Sequence, residues 1–132
     1  MDGKIRQTFP KNERLCRKRL IDLLFSEGLS FVAFPLRVIY LPIDEKEMET
    51  AGLSAFVSVP KKKIKHAVDR NLLRRRIRES LRLRKGSLIR SLNEKEGSLL
   101  LAFIYLDRTI TTYSVIDGGM EKLLRFIEEK VA

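Results

Sequence analysis

The stretch Ser58-Val-Pro-Lys-Lys-Lys-Ile-Lys-His-Ala-Val-Asp-Arg-Asn-Leu-Leu-Arg-Arg-Arg-Ile-Arg-Glu-Ser-Leu-Arg82 reads as a strand end, a lysine-rich turn and a long basic helix. Pro60 closes the strand, because proline has no N–H to give to a sheet ladder. From Ile64 to Lys85 there is neither Gly nor Pro, and Arg, Leu and Ile dominate, which predicts one continuous helix. At 100° per residue, Asn71, Arg75, Arg78, Arg82 and Lys85 fall on one stripe with Arg74 at its margin. Leu73, Ile77, Leu81 and Leu88 form a second stripe about 120° away. The helix is therefore expected to dock with one side and present guanidinium groups with another. Arg70 falls close to the apolar stripe, with its stem packed and its head reaching out, and Arg76 points away from both stripes into solvent.

Charge follows the same element. Residues 58–90 hold thirteen Lys or Arg against Asp69 and Glu79, a net +11, within a chain whose formal charge is +10. An ordinary wet helix face mixes signs and places Glu four residues from Lys or Arg. Here the basic stripe carries no acid, and like charges at i,i+3 and i,i+4 repel by a few tenths of a kcal/mol each. Such a stripe weakens the fold unless an anion neutralises it, so a nucleic acid is the expected partner. Arginine holds phosphate bidentately and stacks on exposed bases, which tilts the expectation toward structured or single-stranded RNA.

Working outward, residues 51–59 alternate Leu53, Ala55, Val57 and Val59 on one side, a half-buried strand. Phe31 to Leu41 is a further strand region, interrupted by Pro35 and so suited to an edge or a bulge. Residues 17–27 read as a helix through Leu20, Leu23, Leu24 and Phe25, stopped by Gly28. The acidic run 44–50 is expected to be a loop. Gly97 to Leu106 is almost wholly apolar, the expected centre of the sheet, covered on both faces. Thr111 or Thr112 would cap a last helix reaching Lys130, with Val115, Ile116, Leu123, Leu124 and Ile127 facing the core and Gly118 and Gly119 weakening its first turns. The sum is an α+β fold: helix, two or three antiparallel strands, basic helix, strand, helix.

The 132 residues fit one domain, and 44% hydrophobic content suffices for a single core. Cys16 is the only cysteine, which excludes an internal disulfide and predicts a buried, inert thiol in a reducing cytosol. No secretory signal and no spanning run of about 20 apolar residues is present, so the chain is expected to be soluble and intracellular, without a membrane partner. Protein-borne catalysis finds no support. His66 is the only histidine, read as a surface residue beside the cations, and Asp44, Glu45, Glu47 and Glu49 belong to the solvated loop. There is no glycine-rich phosphate loop and no nucleophile elbow, so neither catalytic nor metal-ligating residues are expected, nor a small-molecule substrate.

The quoted stretch resembles the signature of the protein subunit of bacterial ribonuclease P, in which a strand ends in Ser-Val-x-Lys-Lys and a helix follows with Ala-Val-x-Arg-Asn-Arg and spaced arginines. The similarity extends through Phe9 to Leu15, the first helix and the apolar strand, covering most of the chain. Arg70 and Asn71 match the first two residues of the Arg-Asn-Arg signature, Arg74, Arg75 and Arg78 the basic positions after it, and Lys61 and Lys62 the paired lysines. Leu72 stands where the signature has its third residue, an arginine, and removes one cation there.

The resemblance implies a small two-layer sandwich, mostly antiparallel, in which the basic helix joins two parallel neighbouring strands by a left-handed crossover. It implies assistance to a catalytic RNA that, with bound Mg2+, removes the 5′ leader from precursor tRNA in the cytoplasm. The RNA-contacting residues it points to are Lys61, Lys62, Arg70, Asn71, Arg74, Arg75 and Arg78, to which the basic segment and its stripe add Lys63, Lys65 and Arg82. It also implies a cleft between sheet and first helix for the single-stranded leader, for which Phe25, Phe31 and Phe34 are the candidate stacking platforms. Two rivals share the basic helix: a ribosomal or other structured-RNA-binding protein, and a DNA-binding regulator, although no compact helix-turn-helix pair precedes Ile64.

Overall fold

The computed structural model describes residues 18–43, 52–94 and 97–131. Its elements run α1 (Lys18–Glu27), β1 (Leu29–Ala33), β2 (Leu36–Ile43), β3 (Gly52–Ser58), α2 (Ala67–Arg84), α3 (Gly86–Glu94), β4 (Ser98–Tyr105) and α4 (Tyr113–Val131). Cys16, residues 9–15 and the acidic run with Asp44, Glu45, Glu47 and Glu49 lie outside the described residues.

The four strands form one mixed sheet in the order β1-β2-β4-β3. β2 pairs antiparallel with β1 and β4, while β3 lies parallel to β4, with Gly52 opposite Ser98 and Ser58 opposite Ile104. Strand periodicity had suggested only antiparallel neighbours. The parallel pair is the arrangement the family resemblance implied, and the connection between its strands is α2 followed by α3.

Period-two patterning assigns the two faces. Leu99, Leu101, Phe103 and Tyr105 of β4 join Leu36, Val38 and Tyr40 of β2 and Leu53, Ala55 and Val57 of β3 in the main core, which α2, α3 and α4 cover. Leu100 and Ala102 point the other way and are buried under Leu20 and Leu24 of α1. From Leu99 onward β4 is apolar up to Tyr105 because both its faces are covered, and it lies inside the sheet as expected.

The run Phe31 to Leu41 is two strands rather than one. Its turn is the cis peptide Phe34–Pro35, and Ala33 pairs directly with Leu36, so the proline sits where no ladder N–H is needed. Gly28 ends α1 for want of space rather than for a left-handed turn. A Cβ there would lie 2.6 Å from Ile39 Cγ2.

The basic helix starts at Ala67, three residues later than expected, because residues 61–63 close a turn on Pro60. Lys63 and Ile64 both donate their N–H to the Pro60 carbonyl, at 3.0 and 3.1 Å. After Arg84 the chain bends at Lys85 and continues as a separate helix from Gly86, an element the sequence order omitted. Leu88 therefore belongs to α3, where it is buried with Leu92. At α4, Thr112 is the cap, its Oγ1 accepting the Val115 N–H at 3.4 Å. Both Gly118 and Gly119 are helical, Met120 joins the core, and Val115 is exposed instead of core-facing.

Candidate nucleic-acid interface

Two anchors display the lysine turn. Val59 and Ile64 are buried on either side of it, leaving Lys61, Lys62 and Lys65 exposed and Lys63 half-buried. Arg70 reaches back from the first turn of α2 and donates from Nη1 to the carbonyls of Ile64 and Lys65, at 3.0 and 2.7 Å. Its head thus braces the turn rather than extending into solvent. His66 occupies the N-cap position without a side-chain cap bond, an exposed residue as expected.

Along α2, Leu73, Ile77 and Leu81 are wholly buried, as the apolar stripe required. Ser80 is buried with them. On the opposite side Arg75 is exposed and makes no ion pair among the described residues, nor does any lysine of the turn. Asn71 accepts from Arg74 Nη1 at 2.6 Å, which leaves Arg74 with its remaining donors.

Several arginines have partners that the stripe alone did not reveal. Arg82 grips Glu79 with two hydrogen bonds, Nε to Oε2 at 3.0 Å and Nη2 to Oε1 at 2.6 Å. That contact holds the Glu79 carboxyl below its ordinary range and raises Arg82. Arg84 clamps Asp117 of α4 through Nε and Nη2, both at 2.7 Å, with Glu121 at 3.6 Å. Ser80 donates to the same Asp117 at 2.6 Å, and hydrogen bonds, led by the one from Arg84, depress the Asp117 pKa. Arg76, expected to be solvated, donates to the Thr111 carbonyl at 2.5 Å. Lys85 is fully buried at the α2–α3 junction and no part of the exposed stripe, since it follows Leu81 by one helical turn.

These clasps set α2 against the start of α4 and leave a groove of about 590 Å³ between them. Leu72, Glu79 and Tyr113 line it together with Arg75, Arg76, Arg78 and Arg82. Sequence reasoning missed Tyr113 and the inward role of Leu72, because nothing in the local pattern signals which residue of α4 meets α2.

The three phenylalanines separate. Phe25 is about half exposed and meets Phe56 of β3 edge-to-face, with centroids 6.3 Å apart, on the α1 side of the sheet. Phe31 stacks on Phe126 of α4 at 3.9 Å, on the opposite side, so it shares no cleft with Phe25. A strand exposes alternate residues to opposite faces, and Phe31 lies opposite Val38, a residue of the main core. Phe34 is exposed at the hairpin turn.

With this geometry in hand, comparison with known proteins is decisive. The Ribonuclease P family model matches residues 9–114. The ribonuclease P protein component of Porphyromonas gingivalis is 36% identical over 114 residues, covering 86% of this chain and 82% of its own length. The chain belongs to the ribonuclease P protein family. Solved ribonuclease P proteins share the fold. That of Staphylococcus aureus superposes with a TM-score of 0.68 at 21% identity, covering 87% of this chain and 94% of its own. That of Thermotoga maritima gives 0.67 at 21% identity, covering 86% and 96%. As a ribonuclease P protein, the chain is the RNA-binding accessory subunit of an endoribonuclease and supports its RNA in tRNA 5′ processing. Among the described residues, no helix is long and apolar enough to cross a membrane.

Proposed function

We propose that α2 and the lysine turn form the surface on which this ribonuclease P protein holds the catalytic RNA during removal of the 5′ leader from precursor tRNA, the chain acting as one RNA-binding domain over residues 1–132. The observation that carries this reading is the uncompensated row of cations: Lys61, Lys62, Lys63, Lys65 and Arg75 meet no carboxylate among the described residues. Phosphates supply the missing counter-charge. Arg74, Arg78 and Arg82 place further guanidinium groups along the same helix. Arg70 acts by bracing the lysine turn through the Ile64 and Lys65 carbonyls, and Asn71 by orienting Arg74.

Phe25, beside Phe56, is the aromatic surface suited to stack a base of the leader, since every base offers a π-face. Phe34 at the hairpin tip is a second, separate platform, and Phe31 serves packing on Phe126. This reading assigns the Mg2+ ions to the RNA and routes no step through the protein. The expected compartment is the cytoplasm, where the substrate RNA is made.

Reconstitution tests the proposal. Added to bacterial ribonuclease P RNA at low magnesium, the chain is expected to stimulate leader removal, and Lys61→Ala/Lys62→Ala to lose most of that stimulation. Binding without stimulation would leave only a structured-RNA-binding role of the ribosomal type.

A further inference from the structure

The groove between α2 and the first turn of α4 has features that a simple phosphate track does not need. Four arginines line it, Arg75 the exposed one among them, yet the lining also includes the apolar Leu72, the half-buried Tyr113 ring and a carboxylate, Glu79. A phosphate seated there would lie beside Glu79, an exposed carboxylate of the lining that Arg82 holds through both oxygens. A nucleobase suits it better. Its π-face matches an aromatic ring or a guanidinium plane, and its N–H edge matches a carboxylate acceptor. The volume, about 590 Å³, lies within the range of clefts that take small organic groups. Its walls are fixed in advance, because Arg76 holds the Thr111 carbonyl and Arg84 holds Asp117 across the α2–α4 contact.

We infer that this groove seats one unstacked nucleotide of the catalytic RNA, its base against Leu72 and Tyr113 with an N–H edge toward Glu79, and its phosphate on Arg75. The inference rests on the RNA-subunit reading above and deepens it: α2 grips one flipped-out base in addition to the backbone. Leucine at position 72, where an arginine would complete the signature, gives the groove lining an apolar side chain in place of a further cation. The loss of one charge thus creates a place for a base.

The test is base-by-base chemical probing of ribonuclease P RNA with the full chain bound, combined with affinity measured against salt. One unpaired nucleotide is expected to be shielded by the native protein and to regain reactivity with Tyr113→Ala. Affinity should fall about tenfold at every salt concentration, because stacking releases no counterions. Tyr113→Phe keeps the ring and should keep the shielding. Leu72→Arg, at a half-exposed position, should abolish the shielding while steepening the salt dependence, so the test does not hang on one variant folding. Shielding that persists in Tyr113→Ala or in Leu72→Arg overturns the inference, and so does a native complex that shields no base. Were the native chain not to bind the RNA at all, the RNA-subunit reading would fall and this inference with it, an outcome distinct from binding without shielding.

Discussion

At the scale of single residues, charge divides into groups that the fold has used and groups that it has not. Arg84 and Arg82 are neutralised by Asp117 and Glu79, and Arg70 and Arg76 spend donors on main-chain carbonyls. Among the described residues, Arg75 has no such commitment. Arg75→Ala should therefore raise the melting temperature slightly, because it removes a repelling cation, while lowering the slope of log affinity against log salt by about 0.7–0.9, the share of one phosphate. An unchanged slope in RNA-binding titrations would remove Arg75 from the interface. Asp117 behaves in the opposite way. Its pKa lies below the ordinary 3.8 because Arg84, and less strongly Ser80, donate to the carboxylate. The unfolded chain then takes up the proton first as pH falls, so the stabilisation is complete above the ordinary value and is lost as pH drops through the depressed one. Asp117→Asn should cost about 1–2 kcal/mol at about pH 7, a charged hydrogen-bond figure reduced because Arg84 is a third exposed, and the deficit should shrink toward about pH 3. Denaturant titrations at the two pH values check it. A deficit independent of pH would mean that the carboxylate charge is not what holds Arg84. The Arg84 commitment was not visible in the sequence, because Arg84 and Asp117 are thirty-three residues apart and only the docking of α4 on α2 brings them together.

At the scale of elements, what was legible is what repeats within one segment. The buried row Leu73, Ile77, Leu81 follows from helical period, and the doubly covered β4 from its unbroken apolar run. What escaped depended on neighbours. The hairpin inside Phe31 to Leu41 and the break that makes α3 a separate helix are set by packing on both sides, and β3 pairs parallel because α2 and α3 return the chain to the end of the sheet at which β3 begins. The adjacent glycines of α4 illustrate the point. Both looked like helix weakeners. A Cβ on Gly118 meets nothing within 4 Å, whereas one on Gly119 would lie 2.9 Å from the Ala33 carbonyl oxygen and 3.4 Å from Pro35 Cδ. Gly118→Ala should thus stabilise the protein by about 0.5–1 kcal/mol through helix propensity. Gly119→Ala should destabilise it by about 1–3 kcal/mol, since main chain of the hairpin must move. Thermal unfolding of the two variants settles the contrast, and shifts of the same sign would contradict the close approach of α4 to the β1–β2 turn.

At the scale of the whole molecule, the concentration of +11 in residues 58–90 makes salt act in opposite directions on folding and on binding. In the free protein, like charges along α2 repel one another, while Glu79 and Asp117 compensate Arg82 and Arg84. Between about 0.01 M and 0.1 M salt the Debye length contracts from about 30 Å to about 10 Å, so repulsion between successive turns and across the lysine turn is damped. The short, partly buried Arg84 pair is screened much less. The melting temperature of the RNA-free chain should therefore rise over this range. The RNA complex should respond in reverse, because each phosphate engaged releases a counterion and affinity falls steeply as salt climbs. Charge-reversing Arg75 to Glu should flatten both responses together, since the same unpaired cation repels its neighbours in the free state and binds phosphate in the complex. A melting temperature that falls with salt would show that ion pairs, and not the exposed row, dominate the electrostatics of the free fold. The row could then no longer be regarded as a store of repulsion that RNA relieves.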